Sequence, residues 1–80
     1  MLCIITEKHG SAPRGVGSMM LVGESGTLGS IGGGEHEYRA ICHAREHSAF
    51  SVREYELNRV AANGLDMICG GRITVLFIPV

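Results

Sequence analysis

Three consecutive glycines, Gly32-Gly33-Gly34, stand between an apolar run that ends at Ile31 and a helix-like stretch that opens near Glu35. The first turn of a helix carries amides with no intrahelical partner and a partial positive charge. Glycines ahead of it let an anion approach the backbone closely. This is phosphate-cradle chemistry. The spacing is not G-x-G-x-x-G, and no Lys-Ser/Thr follows as in a Walker loop. A tight strand-to-helix turn also uses glycine, yet three in a row exceed what a turn needs. Glu37 opposes a bare phosphate, but its carboxylate suits hydrogen bonds from a heterocycle.

Three further clusters carry chemistry-bearing side chains. Arg14 follows Ser11-Ala12-Pro13 in a glycine-rich loop, and a guanidinium there can fork onto phosphate oxygens or remain a solvated loop cation. Cys69-Gly70-Gly71 places a thiol beside two residues without side chains. Cys69 is either a metal or cofactor ligand, a sulfur acceptor, or a small buried side chain before a strand. His43-Ala44-Arg45-Glu46-His47 matches H-x-x-E-H, in which two histidines one helical turn apart hold zinc. Only 33 residues follow it here, too few for a third ligand within a catalytic domain, so this stretch reads as a polar helix face.

Composition limits the classes available. Eighty residues make one domain with a thin core. Glycine is 12 of 80, about twice the usual share of roughly 7%, and nine of the twelve fall between positions 10 and 34. That load weakens a fold through backbone entropy, so it points to a use other than stability. A formal charge of −1 with one lysine leaves no electrostatic footprint for nucleic acid. No apolar run reaches 18 residues, so no segment reads as a membrane span. The three cysteines are odd in number, with no C-x-x-C pair, and read as reduced thiols of a cytoplasmic protein. Cys3 and Cys42 read as core.

The elements that must position these residues are strands around one helix. Leu2–Thr6 and 72–79 are apolar on both faces and read as central strands. Ser18–Val22 and Thr27–Ile31 flank Gly23-Glu24-Ser25-Gly26 as a hairpin. Residues 35–48 form the main helix, with Tyr38, Ile41, Cys42 and Ala44 inward and His43 outward. Ser51–Leu57 reads as a strand near an edge. Residues 58–63 read as one helical turn capped by Asn63-Gly64. The fold class expected is α+β: a single small domain, a mixed sheet of about five strands with one helix packed on one face. An apolar sheet in so small a chain also leaves room for a homodimer.

In order along the chain, GSAPRGVGSMMLV (10–22), GSIGGGEHE (29–37) and MICGG (67–71) followed by an apolar strand resemble the N-terminal domain of the xanthine dehydrogenase accessory proteins, the XdhC/CoxI family. The matching positions are Gly10, Ser11, Pro13, Arg14, Gly17, Met20, Gly29, Ile31, Gly32, Gly33, Gly34, Glu37, Cys69, Gly70 and Gly71. The resemblance implies a molybdenum-cofactor chaperone that assists maturation of the cofactor and its insertion into a molybdenum hydroxylase such as xanthine dehydrogenase. A cysteine desulfurase would be the sulfur-supplying partner, and no catalysis of its own is implied. Arg14, Gly32, Gly33, Gly34, Glu37, Cys69, Gly70 and Gly71 would bind the cofactor, with Cys69 near molybdenum. The alternative is an interaction domain that docks on a partner enzyme without holding cofactor. The family's C-terminal Rossmann-like domain and the helix before the first strand are expected neighbours that these 80 residues do not include.

Overall fold

A computed structural model describes residues 1–57 and 71–80. Five strands and one helix follow in the order β1 (Leu2–His9), β2 (Met19–Val22), β3 (Thr27–Gly29), α1 (Gly34–Glu46), β4 (Ser51–Glu56) and β5 (Arg72–Ile78). The strands form one sheet in the order β3-β2-β1-β5-β4. All four pairings are antiparallel, so the sheet is antiparallel rather than mixed. β1 and β5 are central, and β4 is an edge, as their sequences indicate.

Antiparallel strands alternate their side chains between two faces. One face holds Cys3, Ile5, Met20, Val22, Tyr55, Ile73, Val75 and Phe77, which close the core with Ile31, Ala40 and Ala44 under α1. Burial in this core pushes the Cys3 thiol up to about 11, against a weaker pull downward from the N-terminal ammonium. The opposite face carries Leu28, Leu21, Leu2 and Ile78 in one cross-strand row, and Met19, Ile4, Leu76 and Val52 in the next. No helix covers that face among the described residues. Leu28 is 73% exposed, Met19 55% and Val52 53%. Among the described residues the two central strands are therefore covered on one face only, although both of their faces are apolar in sequence. One 13-residue helix covers one side of a five-stranded sheet.

The helix also turns differently from its sequence reading. Its inward residues are Ala40, His43 and Ala44, whereas Tyr38 is 67% exposed and Cys42 half-buried. His43 lies against Phe77, with ring centroids 4.5 Å apart. The small alanines let the helix sit close to the sheet, and that leaves room for one imidazole. The expected outward His43 is thus corrected to a buried residue.

Candidate functional site

The strand-to-helix turn is built around Glu37. Its Oε1 accepts hydrogen bonds from Ser30 Oγ (2.5 Å), the Ile31 amide (3.0 Å) and the Gly33 amide (2.9 Å). Ser30 Oγ in turn accepts the Gly32 amide at 3.0 Å. Burial pulls the Glu37 pKa upward. The bonds from Ser30, Gly33 and Ile31, with the charge of His36, outweigh it and hold the carboxyl below its ordinary value of 4.5. The carboxylate is therefore an internal clamp that fixes the loop.

This clamp sets three successive glycines in the left-handed region, with φ of 131° at Gly32, 72° at Gly33 and 75° at Gly34. Non-glycine residues adopt such angles at a cost of roughly 1–2 kcal/mol each. The turn as built thus uses all three glycines, which corrects the expectation that three exceed its needs. The positions differ in their surroundings. A Cβ on Gly32 would stand 2.6 Å from His36 Nε2 and 3.3 Å from the Pro13 ring, whereas Gly33 and Gly34 face open space. His36 Nε2 lies 3.0 Å from the Ile31 carbonyl and donates to it.

The open space is a cleft of about 470 Å³ lined by Pro13, Gly32–Gly34, Glu35, His36, Arg39, Tyr55, Glu56 and Leu57. The amides of Ile31, Gly32 and Gly33 are consumed by the clamp. Those of Gly34, Glu35 and His36 belong to the first helical turn, where no i−4 carbonyl exists, and no side chain caps them. Arg39 pairs with Glu35 at 3.4 Å, with both side chains about two-thirds exposed. So exposed a pair is worth little, and the guanidinium remains available. The cleft thus combines anion-binding donors with the apolar walls of Pro13, Leu57 and the Tyr55 ring.

Other segments reach the same end of the molecule. Ser11 lies so close to Gly71 that a Cβ there would fall on the Ser11 carbonyl, and the Leu57 amide donates to the Gly71 carbonyl at 2.8 Å. The β1–β2 loop is thereby held against β5, with Pro13 beside Gly32. Arg14 is exposed, makes no ion pair among the described residues, and is not part of the cleft lining. Cys69 and Gly70 lie outside the described residues, as do the helical turn and cap expected over 58–64.

Sequence reasoning passed over His36, Arg39 and Tyr55. His36 lies within the G-G-G-E-H-E run, four residues after Gly32, which is the signal that was available. Arg39 follows one helical turn after Glu35. Tyr55 carries no local signal, since only the sheet brings β4 alongside the glycine turn.

A second cleft lies further along α1, lined by Cys42, His43, His47, Arg53 and Tyr55 among others. His43 Nε2 meets Ser51 Oγ at 2.9 Å, and Nδ1 meets Arg53 Nη1 at 3.2 Å. Arginine only donates, so Nδ1 accepts and Nε2 carries the proton. Burial, then His47 and Arg53, lower the His43 pKa below 6.5, against a smaller opposing effect of Glu46. His47 stacks on His43 at 4.2 Å, and its Nδ1 is 3.0 Å from the His43 carbonyl. Both His43 nitrogens are thus occupied, and no group of three metal-ligating side chains occurs among the described residues. No helix there is long and apolar enough to cross a membrane.

A protein-family model described as the XdhC and CoxI family matches residues 1–56. No curated protein and no solved structure matches the chain.

Proposed function

This chain belongs to the XdhC and CoxI family, an accessory-factor family of the molybdenum hydroxylases, and on that premise we propose that it binds the molybdenum cofactor and hands it to such an enzyme without turnover of its own. The observation that carries this reading is the cleft at the start of α1, lined by Gly33, Gly34, His36 and Arg39, where no side chain caps the first-turn amides. A phosphate-bearing pterin needs donors for its anionic end and a partly apolar wall for its flat ring, and the residues present fit both needs. When bound, the group supplies the molybdenum centre and its terminal sulfur to the recipient.

The chain's own residues perform the holding. Amides 34–36 and Arg39 take the phosphate. Glu37 keeps the turn rigid and spends its negative charge on the loop amides rather than on the ligand. Arg14, within the residues that the family model matches, and Cys69 and Gly70, beyond them and assigned by resemblance alone, complete the proposed set. Co-expression with the cofactor pathway, followed by fluorescence of the pterin released on denaturation, tests the reading. About one pterin per binding-competent chain is expected, with a large loss in Arg39→Ala or Cys69→Ala. Equal pterin in all three proteins refutes the site.

The apolar sheet face that none of the described residues covers favours a second role, docking on the recipient enzyme. Contiguous apolar patches of this kind mark interaction surfaces. Leu28→Asp or Val52→Asp, both at exposed positions, should abolish co-purification with a molybdenum hydroxylase while leaving pterin content unchanged.

A further inference from the structure

The glycine turn seats the His36 imidazole in the wall of the cleft. Its Nε2 donates to the Ile31 carbonyl at 3.0 Å, and a Cβ on Gly32 would fall 2.6 Å from the same nitrogen. Gly32 thus leaves the space that the ring fills. A donor at Nε2 is present in the neutral ring and in the imidazolium alike, so a second proton, at Nδ1, enters without breaking the tether. His43 is the opposite case, because its Nδ1 accepts from Arg53. The cleft lining is also short of positive charge for an anion. Among the described residues Arg39 is its one arginine or lysine, set against the carboxylic side chains of Glu35 and Glu56. Tyr55 is the other titratable group of the lining, and Glu37 acts on His36 from within the clamp, where their opposite charges attract. A phosphate beside the first turn of α1 therefore meets two acidic side chains and one fixed cation. Histidine is the side chain that ordinarily changes charge between about pH 5 and pH 8.

We infer that His36 is the proton-linked anion-recognition group of the glycine-turn cleft: it takes a proton from solvent as an anion binds, and its positive charge joins Arg39 against the phosphate end of the ligand. This rests on the cofactor reading above and adds to it a control, tighter holding as pH falls and easier release as pH rises. An anion within about 4–6 Å favours the charged imidazole. Linkage is reciprocal, so protonation of the ring tightens anion binding by the same factor. The charge of an imidazolium is spread over the ring, so the effect does not depend on which ring edge the anion meets.

The probe is sulfate, which stays a dianion across the range in which histidine titrates. Adding sodium sulfate to ¹⁵N-labelled chain at constant ionic strength, at about pH 5.5 and about pH 7.5, gives the affinity at each pH from the amide shifts of Gly34, Glu35 and His36. The wild-type chain should bind about tenfold more tightly at the lower pH. His36→Gln, which keeps a donor for the Ile31 carbonyl, should bind within about twofold of wild type at the higher pH and lose the pH response. His36→Lys, charged at both pH values, should bind tightly at both. His47→Gln, at an exposed histidine outside this cleft, should behave as wild type. A wild-type affinity that changes less than about twofold between the two pH values overturns the inference, and so does a full pH response in His36→Gln. Sulfate that shifts none of the three amides at either pH overturns it as well. The pterin content of the co-expressed chain decides the cofactor reading separately.

Discussion

The two ends of α1 each set histidine and arginine side chains against β4, and they differ in whether their polar groups are satisfied. Toward the C-terminal end, His43 bonds Ser51 and Arg53, His47 returns to the His43 carbonyl, and the set is closed. Toward the N-terminal end, the clamp closes the loop around Glu37, but the first-turn amides have no side-chain cap. A fold retains a buried neutral histidine because its partners are internal. Within the H-x-x-E-H spacing His43 is thus drawn into the core while Glu46 and His47 stay exposed, and the glycine turn is the end of the helix that opens on a cleft.

The strongest blow to the N-terminal end is Gly71→Ala. A Cβ there overlaps the Ser11 backbone, which cannot yield as a flexible side chain would. A loss of about 3 kcal/mol is expected in denaturant titration, with loss of pterin uptake. Next is Glu37→Ala, which removes the acceptor of Ser30, Ile31 and Gly33 together. Leaving those donors unpaired should cost about 2 kcal/mol. The same clamp has a pH signature. The folded pKa of Glu37 lies below its unfolded value, so its stabilisation is complete above about pH 4.5 and is lost as pH falls through the folded value.

The C-terminal end should respond at a higher pH and more weakly. Protonated His43 cannot accept from Arg53, and its folded pKa lies below 6.5. Stability from this group is therefore full above about pH 6.5 and declines below it, until the pH has passed through the folded value. His43→Gln should remove that upper step in a plot of stability against pH while keeping the Glu37 step. Pterin uptake should be unaffected. Reduced uptake in His43→Gln would erase the contrast between the two ends.

Much of this architecture was legible before the structure. Short apolar runs separated by Gly23-Glu24-Ser25-Gly26 and Gly32–Gly34 delimit β2, β3 and α1, because glycine favours turns and the left-handed backbone that regular elements do not use. The helix spans 34–46 against an expected 35–48. Its orientation was not legible. Tyr38, Ile41 and Cys42 outweigh Ala40 and Ala44 in hydropathy, but close packing on a sheet selects the small residues instead. The strands β1 and β5 carry apolar residues on both faces, and local pattern does not reveal that, among the described residues, only one face receives a helix. The candidate site divides in the same way. The glycine turn is a local motif, whereas Tyr55 meets it only through the pairing of β4 with β5.

A titration of ¹⁵N-labelled chain with the pterin cofactor, followed by amide chemical shifts, compares both ends at once. The amides of Gly34, Glu35 and His36 should show the largest perturbations, with those of His43, Ser51 and Arg53 near zero. Perturbations centred on His43 and Arg53, or none at the glycine turn, would contradict the assignment of binding to the unsatisfied end of the helix.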